Sequence, residues 1–230
     1  MAKLTIGASH YTWANLYIYD FWVLCISSSF AWRCSTWNIL IPFFKSHVGR
    51  QHLDIGVGTG YFPTKAGDTI ETLTLVDLNP NCLSMASRRI PQLKNGTNTI
   101  IADALQPGML PSSLPQSLRS YDSISLMYLI HTLPGPPGNK LQIFCNVKPY
   151  LKEKGIVFGS TILGKDVYHN LFAMLLRWVY NRIGLFDNLA DGKDELLKAL
   201  TSEFEKVEVE VIGCVLLFVA SQPRETSKQE

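Results

Sequence analysis

The sequence predicts a single α/β domain built on a mostly parallel sheet wound on both faces, and three features point there. One is Leu53-Asp54-Ile55-Gly56-Val57-Gly58-Thr59-Gly60-Tyr61, an apolar strand that ends in an acidic residue and a loop with glycine at every second position. Another is the alternation of strand and helix signals after it, which implies parallel strands joined by crossover connections. The last is a pair of β-rich runs around Gly213, read as a closing hairpin that adds an antiparallel strand. With 230 residues and 47% hydrophobic content, the chain suffices for one such domain with a large core.

Taken in order, residues 1–48 form an aromatic segment expected to cover a core at 49–221. The run Phe21–Ile26 is apolar, but Asp20 precedes it and Ser27–Ser29 and Arg33 interrupt it. It is too short for the ~20 apolar residues of a spanning helix, and no basic residues stand directly before it as in a cleavable signal. His52–Ile55 reads as the first strand and Leu73–Leu78 as the second, with a helix expected between them because Pro63 suits a first helical turn. Asn79 then caps a helix with Pro80 at its first position, running through Met85 and Ala86 and stopping near Ile90-Pro91. Strands at 99–102, 121–127, 155–160, 207–212 and 214–220 bring the total to seven. Between them an insert at 164–188 places Leu171, Met174, Leu175 and Trp178 at helical spacing, the pattern of a core-facing stripe. Residues 222–230 read as a disordered tail.

Charge and cysteine usage exclude several classes. The formal net charge of +2 arises from 21 basic and 19 acidic residues scattered along the chain, with no basic run to track a phosphate backbone, so nucleic acid is not an expected partner. Cysteines at 25, 34, 82, 145 and 214 form no CxxC pair and lack metal-ligand spacing. Neither a disulfide framework nor a metal site is expected, and a reducing, cytoplasmic compartment fits. No integral membrane association is expected, and the oligomeric state is left open.

The glycine loop carries the chemistry. Glycines at this spacing let backbone approach a ligand without Cβ atoms in the way. A dinucleotide loop needs G-x-G-x-x-G, and here Tyr61 stands where the third glycine belongs. Asp54 would repel a pyrophosphate but favours the cationic amino-acid end of S-adenosylmethionine. Asp77 ends a strand 17 residues after Gly60, where a carboxylate can accept both hydroxyls of a ribose. Asp103, at the same edge, can accept from an adenine amino group.

These residues resemble a class I S-adenosylmethionine-dependent methyltransferase, similar within that class to the small-molecule enzymes of fungal and bacterial secondary metabolism. The resemblance spans roughly residues 50 to 220. It rests on the Asp54-x-Gly56-x-Gly58-x-Gly60 loop, the acidic end of Leu75-Val76-Asp77-Leu78-Asn79, Asp103, and the late segment Leu151–Gly159. That segment departs from the usual turn of the family in having Glu153-Lys154-Gly155. The resemblance implies a Rossmann-like seven-stranded sheet with helical covers, S-adenosylmethionine as cofactor, and a binding set of Asp54, Gly56, Gly58, Gly60, Asp77, Leu78, Asp103 and Ala104. It also implies a histidine lining the site near His131.

Methyl transfer needs alignment of the acceptor and exclusion of water, plus a base where a proton must leave. His131, just past the fourth strand at the ligand-binding edge, is the expected base; His10 and His169 are weaker candidates. The aromatic N-terminus, with Tyr11, Trp13 and Tyr17, and the insert with His169 are expected to line an apolar acceptor pocket. Ser125-Leu126-Met127-Tyr128 stands where nucleobase amine methylases carry Asn/Asp-Pro-Pro-aromatic, so that subclass is set aside. The expected activity is methylation of a hydrophobic small molecule on oxygen in a secondary-metabolite pathway. The alternative is a protein that keeps the cofactor without methyl transfer, as a binding protein or pericyclic catalyst.

Overall fold

The computed structural model describes residues 20–90, 93, 95–115 and 118–225. Its strands are β1 (Gln51–Ile55), β2 (Thr72–Asp77), β3 (Thr97–Ile101), β4 (Tyr121–Met127), β5 (Leu151–Ile162), β6 (Phe204–Ile212) and β7 (Val215–Pro223). They form one seven-stranded sheet in the order β3-β2-β1-β4-β5-β7-β6. The β3/β2, β2/β1, β1/β4 and β4/β5 pairs are parallel, and β7 runs antiparallel to both β5 and β6. After β1 the chain moves outward to β2 and β3, then returns to lay β4 on the other side of β1. This reversal opens a crevice at the carboxyl ends of the central strands, where open α/β sheets bind ligands.

The central strands are buried on both faces, so their sequences read as nearly continuous apolar runs. Leu73, Leu75 and Phe158 belong to one core together with Phe44 and Met85. Leu53, Ile55, Val76 and Ile124 belong to the other, with Phe144 and Leu200. The helices supplying these layers are α1 (Ile41–His47), α2 (Pro80–Arg89), α3 (Pro137–Lys140), α4 (Ile143–Val147), α5 (Leu171–Arg182) and α6 (Lys193–Glu203). A π-helical segment, Asp20–Ala31, lies before them. Asn79 caps α2 as expected, its side chain accepting from the Asn81 N–H at 2.9 Å.

Three expectations are corrected. No α-helix follows the glycine loop; the connection makes two 3-10 turns, Pro63–Lys65 and Gly67–Thr69. Gly67 takes φ +63°, a left-handed conformation that ends any helix begun at Pro63. The apolar stripe of the insert faces outward: Leu171, Met174, Leu175 and Trp178 are exposed, while the face turned inward carries Ala173 and Leu176. Chain order does not decide which face of an amphipathic helix meets the body of the fold; packing does. Finally, β7 runs on through Gln222 and Pro223, and the Arg224 N–H donates to the Glu203 carbonyl at 2.8 Å, so ordered pairing continues past the expected start of the tail. Among the described residues no helix is long and apolar enough to cross a membrane.

Candidate functional site

The crevice at the switch point is framed by acidic residues from adjacent strand ends. Asp54 on β1, Asp77 ending β2 and Asp103 after β3 line one cleft together with Gly56, Gly58, Leu78 and Ala104. Seven of the eight residues expected to hold a cofactor thus come together here. Gly60 is the exception. A Cβ there would stand 2.8 Å from the Ala86 Cβ on α2, so this glycine allows the loop to pack against the helix. Gly58 differs: at φ +55° an added Cβ would meet nothing within 4 Å, leaving space beside the loop backbone.

Each carboxylate is held differently. Asp77 Oδ1 accepts from the Asn79 N–H at 2.8 Å and Oδ2 from the Gly58 N–H at 3.3 Å, so it clamps the glycine loop while presenting its remaining lone pairs. Burial raises its pKa to about 6 despite these bonds. Asp54 accepts from the Ser125 hydroxyl of β4 at 2.5 Å. Burial pushes its pKa up to about 7; the Ser125 bond pulls it down and the neighbouring Asp77 adds to the rise. Asp103 Oδ1 accepts from the Leu105 N–H at 2.9 Å. A ligand with a cation, a diol and an exocyclic amine would meet a matching acceptor at each of these places, so the donor chemistry of S-adenosylmethionine fits the residues present.

Beyond the acidic edge the cleft turns apolar. Leu24 of the cover segment, Phe62, Met127, Tyr128, Leu133 and Leu185 of the insert line it. Each covering segment therefore contributes one described side chain to the wall. The two covers are bound to one another, with Trp22 Nε1 donating to the Tyr180 hydroxyl at 2.6 Å and Asn170 Nδ2 donating to the Phe30 carbonyl at 2.9 Å. The first is tied to the glycine loop as well: the Thr59 hydroxyl donates to Asp20 at 2.6 Å, and the Arg89 guanidinium pairs with the same carboxylate.

The expected acceptor and base residues distribute differently. His10, Tyr11, Trp13 and Tyr17 lie outside the described residues. His169 is half-buried in the insert, its Nε2 bonded to the Leu163 carbonyl at 3.0 Å, and does not line the cleft. His131 sits in a 3-10 turn just past β4 but is only 3% exposed. The Ile162 backbone N–H donates to its Nδ1 at 3.3 Å, so the ring proton resides on Nε2 and the lone pair is turned into the protein. Phe186 packs against the ring with centroids 4.4 Å apart. Burial, with Lys140 nearby, lowers its pKa to about 3. The imidazole is neutral at physiological pH and lies behind the wall.

Tyr128 is a residue whose part in the site the sequence did not signal. It follows β4 at φ +54°, a strained conformation for a bulky side chain of the kind that gathers at functional sites. The turn carries its ring into the cleft wall, and its hydroxyl lies 3.1 Å from Ser28 Oγ of the cover. No local residue pattern encodes this φ value; in that conformation the Tyr128 N–H is bonded to Ser160 on β5.

Comparison with known proteins agrees with this geometry. A family model described as a methyltransferase domain matches residues 38–198. Methyltransferase verB of Penicillium polonicum is 43% identical over 220 residues, covering 90% of this chain and 94% of its own length. A physcion biosynthesis cluster O-methyltransferase of Aspergillus chevalieri is also 43% identical, over 97% of this chain and its full length. Among solved structures, the N-methyltransferase NodS of Bradyrhizobium japonicum, in complex with S-adenosyl-L-homocysteine, superposes with a TM-score of 0.56 at 16% identity, over 80% of this chain and 85% of that one. An O-methyltransferase family protein of Burkholderia thailandensis gives 0.61 at 12% identity, over 81% and 56%. At such identities these structures speak to the fold alone.

Proposed function

This chain belongs to the methyltransferase-domain family, and from that membership we propose that it transfers the methyl group of S-adenosylmethionine to an oxygen of a hydrophobic small molecule in a secondary-metabolite pathway. The observation that carries the reading is the single cleft in which Asp54, Asp77 and Asp103 occupy one end while Leu24, Phe62, Met127, Leu133 and Leu185 form the other. The acidic end suits a cofactor with a cation, a diol and an amine. The apolar end suits an acceptor that gives up water on entry. Relatives named as O-methyltransferases support oxygen as the acceptor atom.

S-adenosylmethionine, when bound, supplies a methyl group on a sulfonium centre that leaves as a neutral thioether. The chain's own contribution is binding, alignment and dryness. Asp54 would hold the amino-acid cation, Asp77 the ribose and Asp103 the adenine. Gly58 leaves room beside the backbone, and the paired covers place Leu24 and Leu185 in the apolar wall. The His131 lone pair is engaged by Ile162, which supports an acceptor hydroxyl acidic enough to enter ionised, such as a phenol or an enol. Five cysteines that are all free support a reducing, cytoplasmic setting.

The test is to incubate the protein with methyl-labelled S-adenosylmethionine and a panel of apolar phenols, enols, aliphatic alcohols and amines, followed by mass detection of products. Label in phenol or enol products is the expected result. Label confined to amines would overturn the oxygen assignment. Cofactor binding with no labelled product from panel or metabolite extract would return the alternative of a protein that holds the cofactor without transfer.

A further inference from the structure

Behind Asp54 runs a buried line of polar groups. His52 and Asp54 lie two residues apart on β1, opposite Ser123 and Ser125 of β4 in register, so the four side chains share one face of the sheet. Gly49 N lies 2.7 Å from Ser123 Oγ, which lies 2.7 Å from His52 Nδ1; His52 Nε2 lies 2.9 Å from Ser125 Oγ, which reaches Asp54 Oδ1 at 2.5 Å. Phe44 of α1 and Phe158 of β5 enclose the imidazole, with centroids 5.5 and 6.0 Å away. His52 is fully buried. A fully buried polar line in so apolar a core has to be satisfied throughout.

Hydrogen-bond polarity follows from the two ends. At one end the Gly49 N–H can only donate, so Ser123 accepts it and keeps its own proton free to turn to His52 Nδ1. At the other end an ionised Asp54 can only accept, so Ser125 donates to it and must itself accept from His52 Nε2–H. The Asp54 end sets the Nε2–H tautomer, and with it every donor in the line points toward the carboxylate. Protonating Asp54 on Oδ2 leaves Ser125 donating to a neutral and weaker acceptor, and protonating it on Oδ1 reverses the order: Asp54 donates to Ser125, Ser125 to His52 Nε2, and His52 Nδ1–H to Ser123. In that reversed order Ser123 accepts two bonds and its own proton has no acceptor in the line. The bond at the Asp54 end is strongest when Asp54 carries its charge, and through it Ser125 draws the carboxyl toward ionisation against the effect of burial.

We propose that His52 is a positioning residue for cofactor binding: acting through Ser125, it orients the Asp54 carboxylate and favours its ionised form, ready to receive the cationic amino group of the cofactor. This rests on the reading of Asp54 as the partner of that cation. Among the described residues, the other charged group facing Asp54 is Asp77 of β2, which opposes its ionisation. Burial keeps His52 neutral, with a pKa lowered to about 3, so it acts by hydrogen bonding without a charge of its own.

The test uses the full chain and S-adenosylhomocysteine, which bears the same amino-acid end, titrated calorimetrically between pH 6 and 9. In the wild type, affinity should rise with pH to a plateau. Ser125→Ala should move that midpoint upward and weaken binding about tenfold near neutrality, the size of one bond to a charged acceptor. Ser125→Thr should restore both. His52→Leu should shift the midpoint in the same direction, and the double variant His52→Leu/Ser125→Ala should go no further than the larger single effect. Nitrogen-15 spectra of histidine-labelled protein give an independent readout: His52 should carry its proton on Nε2.

Asp54→Asn separates the two layers of the argument. If it binds as the wild type does, the Asp54 reading itself fails. If it weakens binding while Ser125→Ala leaves the midpoint unmoved, the positioning role of His52 is overturned. A proton found on Nδ1 of His52 in the cofactor-bound protein overturns it equally, and this measurement holds even if His52→Leu does not fold.

Discussion

Thr59, at the outer turn of the glycine loop, donates its hydroxyl at 2.6 Å to Asp20, the first residue of the π-helical cover. The Arg89 guanidinium at the end of α2 reaches both of them. One carboxylate therefore ties the glycine loop, α2 and the N-terminal cover together. Both partners of the ion pair remain partly solvent-exposed, which limits its worth to roughly 0.5–1 kcal/mol. Asp20→Ala should accordingly cost little global stability but speed amide exchange across 20–31 and raise the acceptor KM several-fold. Unchanged exchange in that segment would show that the cover is held by its other contacts, with the insert and with Tyr128.

Gly58 and Gly60 make a matched pair for mutation. Both have positive φ, so an alanine at either costs about 1 kcal/mol of backbone strain. At Gly60 the new Cβ would also drive against Ala86, adding about 1–3 kcal/mol of overpacking. Gly60→Ala should be the less stable variant in urea, and Gly58→Ala the one that loses more affinity for S-adenosylhomocysteine. The reverse ranking in both measurements would mean that the loop's open side is not where the ligand lies.

Asp54 is expected to trade stability for binding. Its pKa rises from 3.8 to about 7 on folding, so the folded protein binds this proton more tightly than the unfolded chain. Its contribution is favourable below pH 4 and is lost as pH climbs to 7, on the order of 4 kcal/mol across the window. Asp54→Asn removes that slope. The stability of the variant relative to wild type, measured without ligand by denaturant titration, should therefore grow between pH 4 and 7 and then level off. A difference independent of pH would mean that Asp54 is not desolvated in the ligand-free protein.

His131 has the opposite sign. With its pKa lowered from 6.5 to about 3, it lends stability that is present above pH 6.5 and lost as pH falls toward 3. His131→Phe, which retains an aromatic ring against Phe186, should lose less stability than wild type over that acid range. Turnover should stay within a few-fold, and the pH profile of kcat should keep its shape. A ~100-fold drop that takes an acid limb with it would establish His131 as a general base, requiring its ring to leave the Ile162 N–H during the reaction.

Much of the fold was legible because its signals are local. Short apolar runs, the Asn79-Pro80 cap and the glycines around Asp54 depend on residues within a few positions of one another, and β4 occupies the span its sequence announces. The meeting of Asp54, Asp77 and Asp103 was legible too, since parallel strands bring their carboxyl ends to one edge whatever lies between them. What long-range packing alone could decide was orientation. It turned the apolar stripe of α5 outward, made Gly60 a packing residue against Ala86, and set Tyr128 in the left-handed region. It also placed His131 behind the cleft wall, its lone pair bonded to Ile162. It likewise brought His52, Ser123, Ser125 and Asp54 into one hydrogen-bonded line across 73 residues of chain. The physical reason is common to all of these: a residue's chemistry and its periodicity are written in its neighbours, whereas the direction its side chain faces is set by whichever distant surface fills the space beside it.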